Sequence, residues 1–266
     1  MINFGILGAL GRMGKTIANC SLEMEGLECV AGFDNPKHPN FDESKTLSVL
    51  SDGSSISVKE INKENSADLG GIIDFSLPPA TMGALDVYVE NKLPLVIGTT
   101  GFSPEELKLI EKASKSIPVL MATNMSLGVN MLFALTEMAA KGLIKEGFHP
   151  EITEIHHKHK KDAPSGTAKT LEEIIKNDAG YSDNQVVYGR EGQVGERPDK
   201  QLGVFALRGG DVVGDHTVFF LGNGERIELK HQAVSRDTFA MGALNALKFI
   251  VNQSPGLYNM RDVLNL

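Results

Sequence analysis

The chain has 266 residues, 41% hydrophobic and 23% charged, with a formal net charge of -8 at pH 7 and a pI near 5.4. That length predicts two domains, the composition is ordinary for a soluble globular protein, and the acidic balance argues against nucleic acid as the main partner. No run approaches the apolar length expected of a bilayer span, and Ile2 to Leu7 passes into a glycine motif instead of a leader-peptide cleavage site. The two cysteines, Cys20 and Cys29, make no disulfide framework, so a reducing cytoplasm is the expected setting.

Ile2 to Leu7 is a short apolar strand pattern, followed by Gly8-Ala9-Leu10-Gly11-Arg12-Met13-Gly14 and a helical run through Met24. Strand, glycine turn and helix in that order let a pyrophosphate rest against the N–H groups of the helix start. The spacing is G-x-x-G-x-x-G rather than G-x-G-x-x-G. A second strand, Leu27 to Phe33, ends in Asp34, twenty residues beyond Gly14. An acidic side chain there can hold a ribose hydroxyl; Asp34 also suits a turn ahead of Asn35-Pro36.

The polar segment Asn35 to Asp68 is weakly patterned. Strands follow at Gly71–Ser76, Leu95–Ile97 and Val119–Met121, separated by helical patterns at Thr81–Asn91 and Pro104–Ser114. The second helix announces its start with Ser103 as N-cap, Pro104 at the first position and Glu106 completing a capping box. The alternation predicts a parallel, doubly wound sheet whose ligand lies beyond the carboxyl ends of the strands. Phe75-Ser76, Gly98-Thr99-Thr100-Gly101 and Ala122-Thr123-Asn124-Met125 occupy such positions, and each alone also reads as ordinary turn chemistry.

From Ser126 the pattern changes. A long apolar helix, Leu127 to Ile144, leads to an alternating strand, Glu151 to Ile155, and then to His-His-Lys-His-Lys-Lys from His156 to Lys161. Six basic or protonatable positions in an acidic protein run into Pro164-Ser165-Gly166-Thr167 and the helical pattern Ala168 to Ile175, where free N–H groups favour an anion. His156 and Lys160 share a face if the strand continues, and also at i,i+4 if it turns helical. Lys160, among Lys158, Lys161 and the histidines, feels like-charge repulsion that favours release of its proton. Gly166 lets a carboxylate approach the backbone, with the Thr167 N–H and hydroxyl as donors. The stretch therefore reads as a pocket for a carboxylate-bearing substrate. A solvated basic face is the plain alternative; a zinc site from His156, His157 and His159 lacks a nearby Cys and faces repelling lysines, so no metal is expected.

Beyond a charged, glycine-containing loop, Gly189 to Lys200, strands are expected at Gly203–Arg208, His216–Leu221 and Glu225–His231, the last two joined by a Gly222-Asn223-Gly224 hairpin. A final helix, Thr238 to Val251, is expected to pack back on the first domain. The fold class is α/β: a Rossmann-like dinucleotide-binding domain, 1–126 with 236–266, and an α+β domain, 127–235, with a mixed, mostly antiparallel sheet.

Gly8-x-x-Gly-Arg-Met-Gly14, Gly98-Thr-Thr-Gly101, Asn124-Met-Ser-Leu-Gly128, the Glu154 to Ala168 stretch, Leu207 to Thr217 and Met260-Arg-Asp-Val263 together resemble the dihydrodipicolinate reductases over essentially the whole chain. The resemblance implies reduction of 4-hydroxy-tetrahydrodipicolinate by NADH or NADPH in lysine biosynthesis through diaminopimelate. It also implies a homotetramer held by the second domain's sheet, a hinge that closes over a small cyclic dicarboxylate, and no membrane partner. It places His156 as catalytic proton donor/acceptor and Lys160 as proton donor, with His157, Gly166 and Thr167 binding substrate. Gly8, Ala9, Leu10, Gly11, Arg12, Met13, Asp34, Gly98, Thr99, Thr100, Ala122, Thr123, Asn124 and Met125 match cofactor contacts. Two positions depart from the pattern: Asn35 stands where many relatives have Arg, with Lys37 two residues on, and Met125 stands where Phe is common. With Asp34 repelling a phosphate and no adjacent guanidinium, NADH use at least as good as NADPH use is expected. Another two-domain dehydrogenase of amino or hydroxy acids, or a catalytically silent dinucleotide sensor, are the competing readings.

Overall fold

The computed structural model describes residues 1–41 and 50–266; residues 42–49, inside the weakly patterned segment, lie outside the described residues. Two compact units result, Met1–Leu127 with Arg236–Leu266, and Gly128–Ser235. The first unit begins with β1 (Ile2–Leu7), α1 (Arg12–Ser21), β2 (Leu27–Phe33) and a two-residue β3 (Val58–Lys59). It continues through β4 (Gly71–Asp74), α2 (Pro78–Glu90), β5 (Leu95–Ile97), α3 (Pro104–Ser114) and β6 (Pro118–Met121). Phe4, Ile6, Ile72, Ile73, Leu95, Val96, Ile97 and Val119 are fully buried, as expected for short apolar strands covered on both faces. The α3 capping box is present: the Ser103 hydroxyl accepts the Glu106 N–H at 3.2 Å, and the Glu106 carboxylate accepts the Ser103 N–H at 2.7 Å.

Helix α4 (Leu127–Leu143) carries the chain into the second unit, followed by β7 (His149–His156), α5 (Gly166–Ala179), β8 (Val186–Val187), β9 (Leu202–Arg208), β10 (Gly214–Leu221) and β11 (Arg226–Ala233). The five strands form one sheet in the order β11-β10-β7-β9-β8. Its pairings split evenly: β7–β10 and β10–β11 are antiparallel, β7–β9 and β8–β9 parallel. The sheet is mixed, as expected, and its longer ladders are the antiparallel ones; α5, which lies between β7 and the two strands that run parallel to it, supplies the crossover that parallel strands need. The charged loop is tied to the sheet, with Arg190 and Arg197 both hydrogen-bonded to the Glu151 carboxylate at 2.8 to 3.0 Å. One segment, Leu127–Glu146, is long and apolar enough to cross a membrane by length and composition, which corrects the sequence expectation that no run is. Val129, Leu132, Thr136 and Ala140 of this helix are buried, while Met131, Leu135 and Met138 are exposed.

The chain then returns to the first unit as α6 (Asp237–Ile250), β12 (Gly256–Tyr258) and α7 (Met260–Leu264). The seven-stranded sheet, ordered β12-β6-β5-β4-β1-β2-β3, is parallel throughout. Strand order reverses between β1 and β4, the topological switch point at which such sheets bind ligands. Helix α6 buries Ala240, Ala243, Leu244, Leu247 and Ile250 in the same core as Phe4, Ile6 and Ile17. It approaches so closely that a Cβ on Gly242 would fall 1.8 Å from the Met125 carbonyl oxygen. Gly242→Ala is therefore expected to destabilise the first unit by about 1–3 kcal/mol, read as a lower melting temperature; an unchanged transition would contradict this packing.

Candidate active site

In the first unit the switch point is a cleft of about 450 Å³ bordered by Gly8, Gly11, Asp34, Lys37, Phe75 and Ser76 among others. Gly8 has φ +82°, and a Cβ there would lie 2.4 Å from the Phe75 carbonyl oxygen; a Cβ on Gly14 would lie 2.3 Å from the Gly8 carbonyl. The two glycines let the turn pass between the ends of β1 and β4 and let α1 close on it. Gly11 is the N-cap of α1 and offers no side-chain acceptor, and the first turn holds no acidic residue. The first N–H groups of α1 are thus left for an anion, which suits a dinucleotide pyrophosphate. Asp34 accepts the Leu10 N–H at 2.9 Å through Oδ2 and the Asn35 N–H at 2.9 Å through Oδ1. It secures the glycine turn while standing at the cleft.

The remaining residues matched to the cofactor divide. Gly98, Thr99 and Thr100 follow β5, and Ala122 to Met125 follow β6, all at carboxyl ends of parallel strands. The Thr99 hydroxyl, however, bonds to the buried Asp74 carboxylate at 2.8 Å and accepts the Ser76 N–H at 2.8 Å. That hydroxyl ties the ends of β4 and β5 together. Burial pushes the Asp74 carboxyl up despite bonds from Ser76 and Thr99. Met125 is buried, and the Asn124 side chain accepts the Ser126 N–H at 2.9 Å. Arg12 is exposed.

In the second unit β7 ends at His156, so neither proposed continuation of the basic run occurs. His157 N–H donates to the Val212 carbonyl at 2.8 Å, and Lys160 N–H to the His157 carbonyl at 3.1 Å, making a turn. His156 and Lys160 meet separate carboxylates. The His156 Nδ1 lies 2.5 Å from Glu154, and the Lys160 ammonium 3.0 Å from Asp162. Asp162 thus offsets the cations that surround Lys160 in the sequence. The His157 and His159 rings are 6.1 Å apart. Ser165 caps α5, its hydroxyl accepting the Ala168 N–H at 3.2 Å. Gly166 and Thr167 open the helix, with free space where a Gly166 side chain would be and no acidic residue in the first turn. This helix start is where the sequence places a carboxylate-binding turn. Among the described residues no three of His, Cys, Asp and Glu are grouped to hold a metal ion.

Beneath the turn is a buried network that the sequence reading did not assign. Glu154, fully buried, receives both ends of the Arg208 guanidinium at 2.7 and 2.8 Å, the Ser165 N–H at 3.0 Å and His156. Burial alone would push the Glu154 carboxyl up; the bonds from His156, Arg208 and Ser165 outweigh it and hold it at about 2. The Ser165 hydroxyl also bonds His216 Nε2 at 3.0 Å, and the His156 and His216 rings meet edge to face at 5.2 Å. Burial, reinforced by His156, pushes His216 down to about 4. The usable signal lay in the alternation of β7: Pro150, Ile152, Glu154 and His156 share the inward face, so Glu154 is a charge placed where a partner is required.

His216 gives a pH signature. Unfolded, it takes up a proton below its ordinary 6.5; folded, it resists down to about 4. Its stabilising contribution is full above pH 6.5 and is lost as pH falls towards 4, at no more than about 1.4 kcal/mol per pH unit. Denaturant titrations of wild type and His216→Phe across this window should show a shallower pH dependence in the variant; parallel curves would contradict a buried neutral imidazole.

Comparison with known proteins gives matches along nearly the full chain. Residues 2–125 match the family model for the dihydrodipicolinate reductase N-terminus, and residues 128–264 that for its C-terminus. The 4-hydroxy-tetrahydrodipicolinate reductase of Methanopyrus kandleri is 47% identical over 268 residues, covering 99% of this chain and 97% of its own. That of Aquifex aeolicus is 47% identical over 264 residues, covering 98% of each chain. A solved dipicolinate-bound dihydrodipicolinate reductase from Paenisporosarcina sp. TG-14 shares the fold with a TM-score of 0.76 at 23% identity, covering 97% of both chains. The chain belongs to the dihydrodipicolinate reductase family.

Proposed function

We infer that this protein reduces 4-hydroxy-tetrahydrodipicolinate, with loss of water, to tetrahydrodipicolinate in the diaminopimelate route to lysine. The observation that carries this reading is the short segment between β7 and α5, which joins His156 and Lys160 to the α5 N-terminus at Gly166 and Thr167. A proton-handling pair beside an anion nest suits a cyclic dicarboxylate. A nicotinamide dinucleotide, held by the glycine turn and Asp34 of the first unit, supplies the hydride when bound. The Gly166 and Thr167 N–H groups and the Thr167 hydroxyl seat one substrate carboxylate, and His157 adds a donor beside it. Lys160, released from Asp162, delivers the proton that completes the product, and His156 exchanges protons with the substrate.

NADH serves at least as well as NADPH, since Asp34 repels a 2′-phosphate and Asn35 supplies no compensating charge. What NADPH use remains draws on Lys37, which borders the cleft and whose backbone N–H donates to the Asn35 side chain at 2.8 Å. The protein acts in the cytoplasm as a homotetramer; the partly exposed Ile155, Phe205 and Phe219 and the 48% exposed Leu207 on the second sheet are the apolar surface that supports assembly.

Substrate generated in situ from pyruvate and aspartate semialdehyde, with loss of reduced-nicotinamide absorbance followed separately for NADH and NADPH, tests the reaction. Rapid oxidation dependent on the protein is expected; none, despite confirmed cofactor binding, would favour the silent sensor or another substrate. Lys160→Ala should lower kcat by about 10²–10⁴ with cofactor Kd unchanged, and a fully active variant would remove that role. Lys37→Ala should reduce kcat/KM for NADPH roughly tenfold or more and leave NADH alone; equal losses would show that Lys37 does not read the phosphate.

A further inference from the structure

The reaction leaves open which imidazole nitrogen of His156 faces the substrate. Glu154 lies 2.5 Å from Nδ1, and the same carboxylate is gripped by Arg208 through both guanidinium ends. Arg208 is fixed in turn by the Asp162 carbonyl at 2.7 Å and its neighbour Leu207's carbonyl at 2.7 Å. On the far side of the ring, β10 begins at Gly214, where a Cβ would lie 3.0 Å from Nε2 and 3.4 Å from Cδ2. One nitrogen is therefore held by a carboxylate, while the other faces a position without a side chain.

We propose that Glu154 is a positioning residue for this reaction: clamped by Arg208, it holds His156 through Nδ1–H, so that Nε2, kept clear by Gly214, is the nitrogen that exchanges the proton with substrate. An ionised carboxylate only accepts hydrogen bonds, so the short contact requires the hydrogen on Nδ1. Glu154 is held ionised by the guanidinium and by the Ser165 N–H. Two further ionisable groups lie close to this residue, His216, edge-on at 5.2 Å, and Arg208, paired with His156 across β7–β9. His216, bonded through Nε2 to Ser165, leaves the His156 Nδ1 to Glu154. Glu154 also accepts the Ser165 N–H at the start of α5. One carboxylate thus sets the ring angle of the proton carrier and the position of the N-cap beside the substrate nest.

The proposal rests on the reductase reading for its kinetic arm, but its spectroscopic arm needs no substrate. Nitrogen-15 histidine spectra of the wild-type protein, assigned with His156→Asn and recorded where the imidazole is neutral, should show His156 protonated at Nδ1 and bare at Nε2. The opposite tautomer would overturn the proposal whatever the enzyme reduces. In the assay, Glu154→Gln and Arg208→Lys, which loses the fork but keeps a cation, should lower kcat about 10- to 100-fold, with KM and cofactor Kd within about threefold. Gly214→Ala, which leaves the clamp in place, should lower kcat while keeping the Nδ1–H tautomer. Wild-type kcat in folded Glu154→Gln or Arg208→Lys protein would overturn it, and a fall in KM and kcat together with loss of the melting transition would assign Glu154 to stability alone. Should Glu154→Gln fail to fold, the wild-type tautomer and Arg208→Lys still decide. A wild-type protein inactive on this substrate but with the Nδ1–H tautomer would sink the reductase reading and leave the His156 geometry standing.

Discussion

The buried ion pair of Glu154 with Arg208 is the constraint on which the second unit's chemistry depends. A carboxylate with no exposed surface would be costly in an apolar interior, and here it is tolerated because a bidentate guanidinium, a backbone N–H and an imidazole fill its acceptor sites. Removing one member of such a pair strands the other and typically costs about 3–5 kcal/mol. The contacts join β7, β9 and the cap of α5, so the strand that ends in His156 and the helix that opens with Gly166 and Thr167 are held in one frame. Catalytic groups need positioning to a fraction of an ångström. A loop of lysines and histidines could not supply that alone.

The first unit solves a different problem, close approach of backbone to backbone. Gly8 and Gly14 permit the turn between β1 and β4 to fold against α1, and Gly242 permits α6 to lie on the Met125 carbonyl. Asp34 then fastens the turn through the Leu10 N–H. Glycine at these points leaves the main-chain N–H groups of the α1 start accessible from the cleft, the kind of site that suits a pyrophosphate.

Much of this was legible in the sequence, for physical reasons that also mark the limits. Buried parallel strands announce themselves as short apolar runs, and the order strand, glycine turn, helix, strand, acid is hard to reach by another fold. The His156 to Thr167 stretch was legible because its residues are contiguous. Glu154 was not, since its partner Arg208 is 54 residues away and meets it only through the β7–β9 register. The course of the chain after His156 also escaped periodicity: the His157 N–H bond to Val212, a long-range contact, ends the strand. The short β3, β8 and β12 are too brief for a two-residue repeat to show, and the parallel half of the second sheet follows from where α5 delivers the chain.

The central claim is that a substrate carboxylate sits on the α5 N-terminus beside His156 and Lys160. Dipicolinate, a stable dicarboxylate, tests it directly through backbone amide NMR titration of the intact chain. Saturating shifts centred on the Gly166 and Thr167 amides are the predicted result. Saturable binding that leaves those two amides unmoved would contradict the claim and place the anion site elsewhere.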